Sequence, residues 1–228
     1  MMKRIIYVLM AGMLYVSCNA QNDWIILFDG SNFDHWKGYG IEGMHPEWSV
    51  DGDAMKFTPS EKGGKDIMTK ETFKNFELSL EWKISEGGNS GIFWGIFEDE
   101  KYEKIYQMAP EIQVLDNERH PDAKNNPRFH QAGALYDLVQ PDLDVSNAAG
   151  YWNHLLLKVN HDSNWGVVTL NGVVIVEFRL HGPEWDALVE NSKFKGWDGF
   201  GKYIDGHIGL QDHSDIVWYR NIKIRKLD

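Results

Sequence analysis

The chain has 228 residues, 43% of them hydrophobic and 25% charged, ordinary globular values that exclude disorder and fibrous repeats. Its formal charge of -11 gives a surface that repels phosphate backbones, which excludes nucleic acid as a partner. The single cysteine, Cys18, rules out an internal disulfide.

The first 17 residues read as an export signal. Met1-Met2-Lys3-Arg4 is a basic start, and Ile5 to Val16 is an apolar run of 12 residues. A membrane span needs about 20, so the run is too short to cross a bilayer. Val16-Ser17-Cys18 then approaches the cysteine through a small residue, as bacterial lipoprotein signals do. Cys18 is therefore expected to carry lipid, making an anchor at the cell envelope or periplasm the one membrane contact. The alternative is a soluble secreted protein cleaved after Ala20. Either way residues 18–228 form one domain, enough to bury roughly 70% of the unfolded chain's surface. Cys18 in the leader leaves no thiol for cysteine catalysis or a thiolate zinc site.

Along the chain, strand patterns begin at Trp24 to Phe28 and Ala54 to Phe57. Phe76-Glu77-Leu78-Ser79-Leu80-Glu81-Trp82-Lys83-Ile84 alternates apolar and polar throughout, so it predicts a strand with one wet face. Gly87-Gly88-Asn89 marks a turn into a strand from Ser90 to Phe97. Further strands are predicted at Glu111 to Asp116, Asn153 to Val159, Trp165 to Leu170, Val173 to Phe178, His207 to Gln211 and Val217 to Ile224. Asn171-Gly172 joins two of these as a hairpin turn. One short helix is expected from Pro183, with Trp185, Leu188 and Val189 on one face. Many short strands and one helix predict an all-β fold, an antiparallel jelly-roll β-sandwich whose curved sheet offers a concave face.

The polar residues gather in three places. In Glu111-Ile112-Gln113-Val114-Leu115-Asp116, alternation sends Ile112 and Val114 to the core and presents Glu111 beside Gln113 on the other face. Asp116, Glu118, His120 and Asp122 follow at once, a dense set for a solvated surface. Near the C-terminus, Gln211 and His213 share a face, flanked by Asp212, Ser214 and Asp215; a neighbouring carboxylate can fix an imidazole's tautomer. In Gly87-Gly88-Asn89-Ser90-Gly91-Ile92-Phe93-Trp94, Asn89 offers an amide and Trp94 a stacking plate for a sugar ring. Gly133-Ala134-Leu135-Tyr136 adds a phenol. A Gly-x-Ser-x-Gly elbow, a P-loop, a dinucleotide fingerprint and a His-Glu-x-x-His pair are all missing from the sequence.

Taken in order, these segments resemble the 3-keto-disaccharide hydrolase domain family, concanavalin-like jelly rolls commonly exported by glycan-degrading bacteria. The resemblance is carried by Leu27-Phe28-Asp29-Gly30, the Gly-Gly-Asn-Ser-Gly-Ile-Phe turn, Glu111 to Asn117 and Gly133 to Tyr136. Trp152-Asn153, Asn171-Gly172, Leu210-Gln211-Asp212-His213 and Val217 to Ile222 complete it. The chain departs from the family pattern at Trp94-Gly95, where many members carry an arginine. The resemblance implies cleavage of glycosides already oxidised to a ketone at C3. Such a ketone acidifies the C2 proton, so a base can remove it and expel the C1 substituent, after which water adds. It further implies His213 or Glu111 as the base and Asp212 as the group orienting the imidazole. Asn89, Trp94, Gln113, Tyr136 and Gln211 would bind substrate. Asp116 and His120 would support them or ligate a divalent metal. The rival class is a carbohydrate-binding module without chemistry, which has no use for a carboxylate and an imidazole converging on one ring.

Overall fold

The computed structural model describes residues 24–60, 64–125 and 128–228; the expected leader and Cys18 lie outside them. The expected sandwich is present. One sheet holds β1 (Ile25–Phe28), β3 (Trp48–Asp51), β4 (Ala54–Phe57), β6 (Phe76–Ile84), β9 (Asn153–Asn160), β10 (Trp165–Leu170), β11 (Val173–Phe178) and β13 (Val217–Lys226). Its order is β11-β10-β9-β6-β13-β4-β3, with β1 also paired to β13. The other sheet has the order β2-β5-β12-β7-β8, from β2 (Trp36–Gly38), β5 (Ile67–Thr69), β7 (Asn89–Ile96), β8 (Glu111–Leu115) and β12 (His207–Leu210). All the strand pairings are antiparallel. The short helix is α2 (Pro183–Glu190), and two single turns accompany it, α1 (Asp122–Asn125) and a 3₁₀ turn at Ile105–Gln107.

The core between the sheets follows from period-two alternation. In β6 the residues Leu78, Leu80, Trp82 and Ile84 face inward, and the register sets Leu78 against Leu157 and Leu80 against Leu155 in β9. On its other side β6 pairs with β13, placing Trp82 opposite Tyr219 and Ile84 opposite Val217. The smaller sheet sends Ile92, Trp94, Ile112, Val114, Ile208 and Leu210 into the same core. Burying such large side chains is worth about 1.5–3 kcal/mol each relative to exposure.

Trp94 is therefore a core residue and not a sugar plate. It is 3% exposed and packs against Phe178 with ring centroids 5.9 Å apart. The reason is parity: Asn89 and Trp94 are five residues apart on one strand, so their side chains leave opposite faces.

The outer face of the smaller sheet is divided. Half is covered by a second apolar cluster of Met68, Phe93, Ile96, Tyr102, Ile105, Met108 and Ala109, anchored by the 3₁₀ turn. The other half stays open over β7, β8 and the end of β12.

Candidate active site

Register places the polar residues in rows. Phe93 lies opposite Glu111, and Gly91 opposite Gln113, across β7 and β8. On the far side of β7, Gln211 donates its amide to the Gly91 carbonyl at 3.0 Å. β8, which carries Glu111, and β12, which leads into His213, are thus not neighbours; β7 runs between them. What closes the distance is Gly91. A Cβ there would fall well inside contact distance of the Glu111 carboxyl, so only glycine leaves room for that carboxyl to lie across the strand.

The result is a hollow of about 300 Å³ lined by Asn89, Tyr106, Glu111, Gln113, Asp122, Tyr136, Lys193, Gln211 and His213. Asn89, Glu111, Gln113 and Gln211 are buried and form its floor, while Tyr106, Lys193 and His213 are exposed at its rim. Glu111 is 8% exposed. Burial raises its pKa to about 8; Lys193 opposes the rise, and Asp66 and Asp122 add to it. Gln113 donates to the Asn89 side-chain oxygen at 2.7 Å. The side-chain Oε1 atoms of Gln113 and Gln211 are buried with no hydrogen-bond donor among the described residues. Two such acceptors in an open hollow favour a ligand that brings hydroxyl donors.

Segment 133–136 lies along the free edge of β8. Gly133 donates to the Gln113 carbonyl at 2.9 Å and Tyr136 to the Glu111 carbonyl at 3.0 Å, which sets the Tyr136 ring beside the carboxyl. The Tyr136 hydroxyl donates to Asp122 at 3.3 Å, and its ring stacks on His130 at 4.3 Å. Burial first, then Asp122 and Glu111, hold its pKa well above the phenol range, so it is a neutral donor. The Lys193 ammonium sits 4.0 Å from the centre of the same ring, and its backbone amide is fixed by Asp137 at 2.8 Å.

Of the expected site residues, Asn89, Glu111, Gln113, Tyr136, Gln211 and His213 come together. Asp212 does not serve the imidazole. Its two carboxylate oxygens accept the amides of Lys65 at 3.0 Å and Ser214 at 2.8 Å, because alternation turns it away from Gln211 and His213. Asp116 is 2% exposed and accepts the amides of Gly87 at 2.7 Å and Glu118 at 3.1 Å, so it ties the β6–β7 turn to the exit of β8. His120 accepts the Asp122 amide at 3.1 Å and meets the His213 ring edge-on at 6.4 Å. Among the described residues no group of three or more His, Cys, Asp or Glu is arranged to hold an ion. Of the acidic run after Glu111, only Asp122 reaches the hollow. Lys193 and Tyr106 carry no local signal: one lies in the loop after α2 and the other in a single 3₁₀ turn, neither with a periodic pattern. Gly91, by contrast, was legible as a glycine inside a strand.

The match to known proteins covers nearly the whole chain. Residues 23–225 fit the model of the 3-keto-alpha-glucoside-1,2-lyase-like domain. A 3-keto-disaccharide hydrolase from Bacteroides thetaiotaomicron is 36% identical over 230 aligned positions, covering 90% of this chain and 79% of the relative. A solved glycosyl-hydrolase candidate from Parabacteroides distasonis superposes with a TM-score of 0.82 at 25% identity, covering 90% of this chain and 94% of that one. The carbohydrate-binding module CBM66 from Bacillus subtilis shares the fold at a TM-score of 0.51 and 10% identity, over 84% of this chain and 96% of that module. With the family model spanning the sandwich from before β1 into β13, the chain belongs to the 3-keto-disaccharide hydrolase family.

Proposed function

We propose that this chain cleaves glycosides whose sugar ring carries a ketone at C3, with Glu111 as the base that removes the C2 proton. The observation that carries the reading is Glu111 itself, a carboxyl at the floor of a ring-sized hollow, its proton affinity raised by burial. A carboxylate out of water is a stronger base than one in solution, which suits a weakly acidic C–H bond. As the C2 proton passes to Glu111, the electron pair moves to the C3 oxygen. Collapse of that enolate expels the C1 substituent; the departing oxygen takes its proton from solvent at the open rim, where the His213 ring can donate it a hydrogen bond. Water then adds across the new double bond, and the sum is hydrolysis. The unpartnered side-chain amide oxygens of Gln113 and Gln211 accept hydroxyls of the bound ring.

The binding-module reading is the weaker one. Trp94 lies in the core, and the hollow brings a carboxyl, an imidazole and an ammonium together beside the Tyr106 and Tyr136 rings, a set that sugar binding alone does not need. Export with a lipid on Cys18 is part of the proposal and suits an enzyme that meets glycans outside the cytoplasm.

The test is NMR of the products from a 3-keto-glucoside in heavy water, beside the matched unoxidised glucoside. Deuterium at C2 and turnover of the keto sugar alone are expected. Equal rates on both sugars would discard the keto chemistry, and binding without turnover would leave a binding module.

A further inference from the structure

The hollow over Glu111 is about 300 Å³, at the lower end of the roughly 300–1,000 Å³ of ligand pockets, and so takes one sugar ring better than two. A second hollow of about 400 Å³ adjoins it and shares the Tyr106 ring as a common wall. Its other lining residues are Lys101, Tyr102, Gln107, Trp197 and Asp198. Tyr106 and Trp197 have ring centroids 6.1 Å apart and are tilted by 44°, so they form an open angle and do not cover each other.

Both rings are held in place. Tyr106 is 39% exposed, but its 3₁₀ turn is pinned by the buried Ile105 and by the Gln107 side chain accepting the Lys104 amide at 2.9 Å. Trp197 packs edge-on against Phe194 at 5.3 Å and donates its amide to the Phe194 carbonyl at 3.0 Å. The Gly201 amide, bonded to the Met108 carbonyl at 2.8 Å, ties the two segments together. Fixed aromatic faces left open to water, edged by Gln107, Asp198 and Lys101, suit a ligand with an apolar face and a polar rim. A pyranose ring has that shape.

We infer that this second hollow is the binding site for the leaving sugar: the oxidised ring lies over Glu111, and the ring departing from its C1 rests against Tyr106 and Trp197. The inference rests on the keto-glycoside reading, and it makes the preferred substrate a disaccharide or longer glycan, not a simple alkyl glycoside.

The experiment compares a 3-keto-disaccharide with the corresponding 3-keto methyl glycoside, which lacks the second ring. Trp197 lines the outer hollow and not the one over Glu111, so Trp197→Ala should raise KM for the disaccharide about tenfold, the worth of one good aromatic contact, and leave the methyl glycoside unchanged. Tyr106→Leu, at an exposed ring, provides the second variant should Trp197→Ala unfold, and should weaken the disaccharide more than the methyl glycoside. An equal effect on both substrates, or none on the disaccharide, would overturn the assignment. Wild-type enzyme that cleaves neither keto glycoside would instead sink the reading beneath it.

Discussion

If Glu111 is the C2 base, it must be ionised in the active enzyme, and its pKa of about 8 sets the pH profile. Below that value the ionised fraction falls tenfold per pH unit, so kcat/KM at pH 6 should be about a hundredfold below its plateau. Glu111→Gln keeps the size of the side chain and removes the base; turnover should drop by roughly 10²- to 10⁴-fold with ketone-sugar binding retained. The same shift has a stability consequence of definite sign. The native state holds the Glu111 proton up to about pH 8, whereas the unfolded chain releases it near 4.5. Its contribution is therefore most favourable below pH 4.5 and is lost as pH rises from there to about 8, by at most about 5 kcal/mol. Urea unfolding of wild type and Glu111→Gln at pH 5 and pH 8 checks this: the variant should gain stability over wild type at the higher pH. Initial rates on a 3-keto-glucoside from pH 5.5 to 9 check the catalytic half. A profile that is flat, or that falls through pH 8, would refute the base assignment, since the active carboxyl would then not be the ionised one.

Gly91→Ala should leave the core intact yet lower turnover at least tenfold, because the new methyl displaces the Glu111 carboxyl; a near-normal melting temperature beside lost activity is the expected pair of results. His161 is buried, both its ring nitrogens lack partners among the described residues, and burial lowers its pKa to about 4. Its stabilising contribution is present above pH 6.5 and lost as pH falls toward 4, up to about 3 kcal/mol, so His161→Leu should flatten the acid side of the melting-temperature profile. Cys18→Ala should release the protein from membrane fractions of the native host, and a wild-type protein already soluble and beginning at Gln21 would show simple secretion instead.

Period-two alternation and turn chemistry were enough to read most of the fold from the chain. Phe76–Ile84, Trp165–Leu170 and Val173–Phe178 stand where the pattern put them, and Asn171-Gly172 makes the hairpin turn between the last two. β2, β3 and β5, of three or four residues each, are not among the predicted strands. Glu111 beside Gln113, and Gln211 beside His213, were legible for the same reason that Trp94 could have been excluded: alternation fixes which face a side chain leaves. What alternation does not contain is which strands meet. Strand order is set by burial of both sheets' inner faces over the whole chain, and only that placed β7 between β8 and β12 and made Gly91 the opening beneath Glu111. Tertiary packing likewise turned the buried Asp116 and the half-buried Asp212 to backbone amides, since carboxylates drawn out of water take the nearest donors. It also brought Lys193 from a loop and Tyr106 from its 3₁₀ turn to the rim, where their chemistry depends on neighbours that local sequence does not specify.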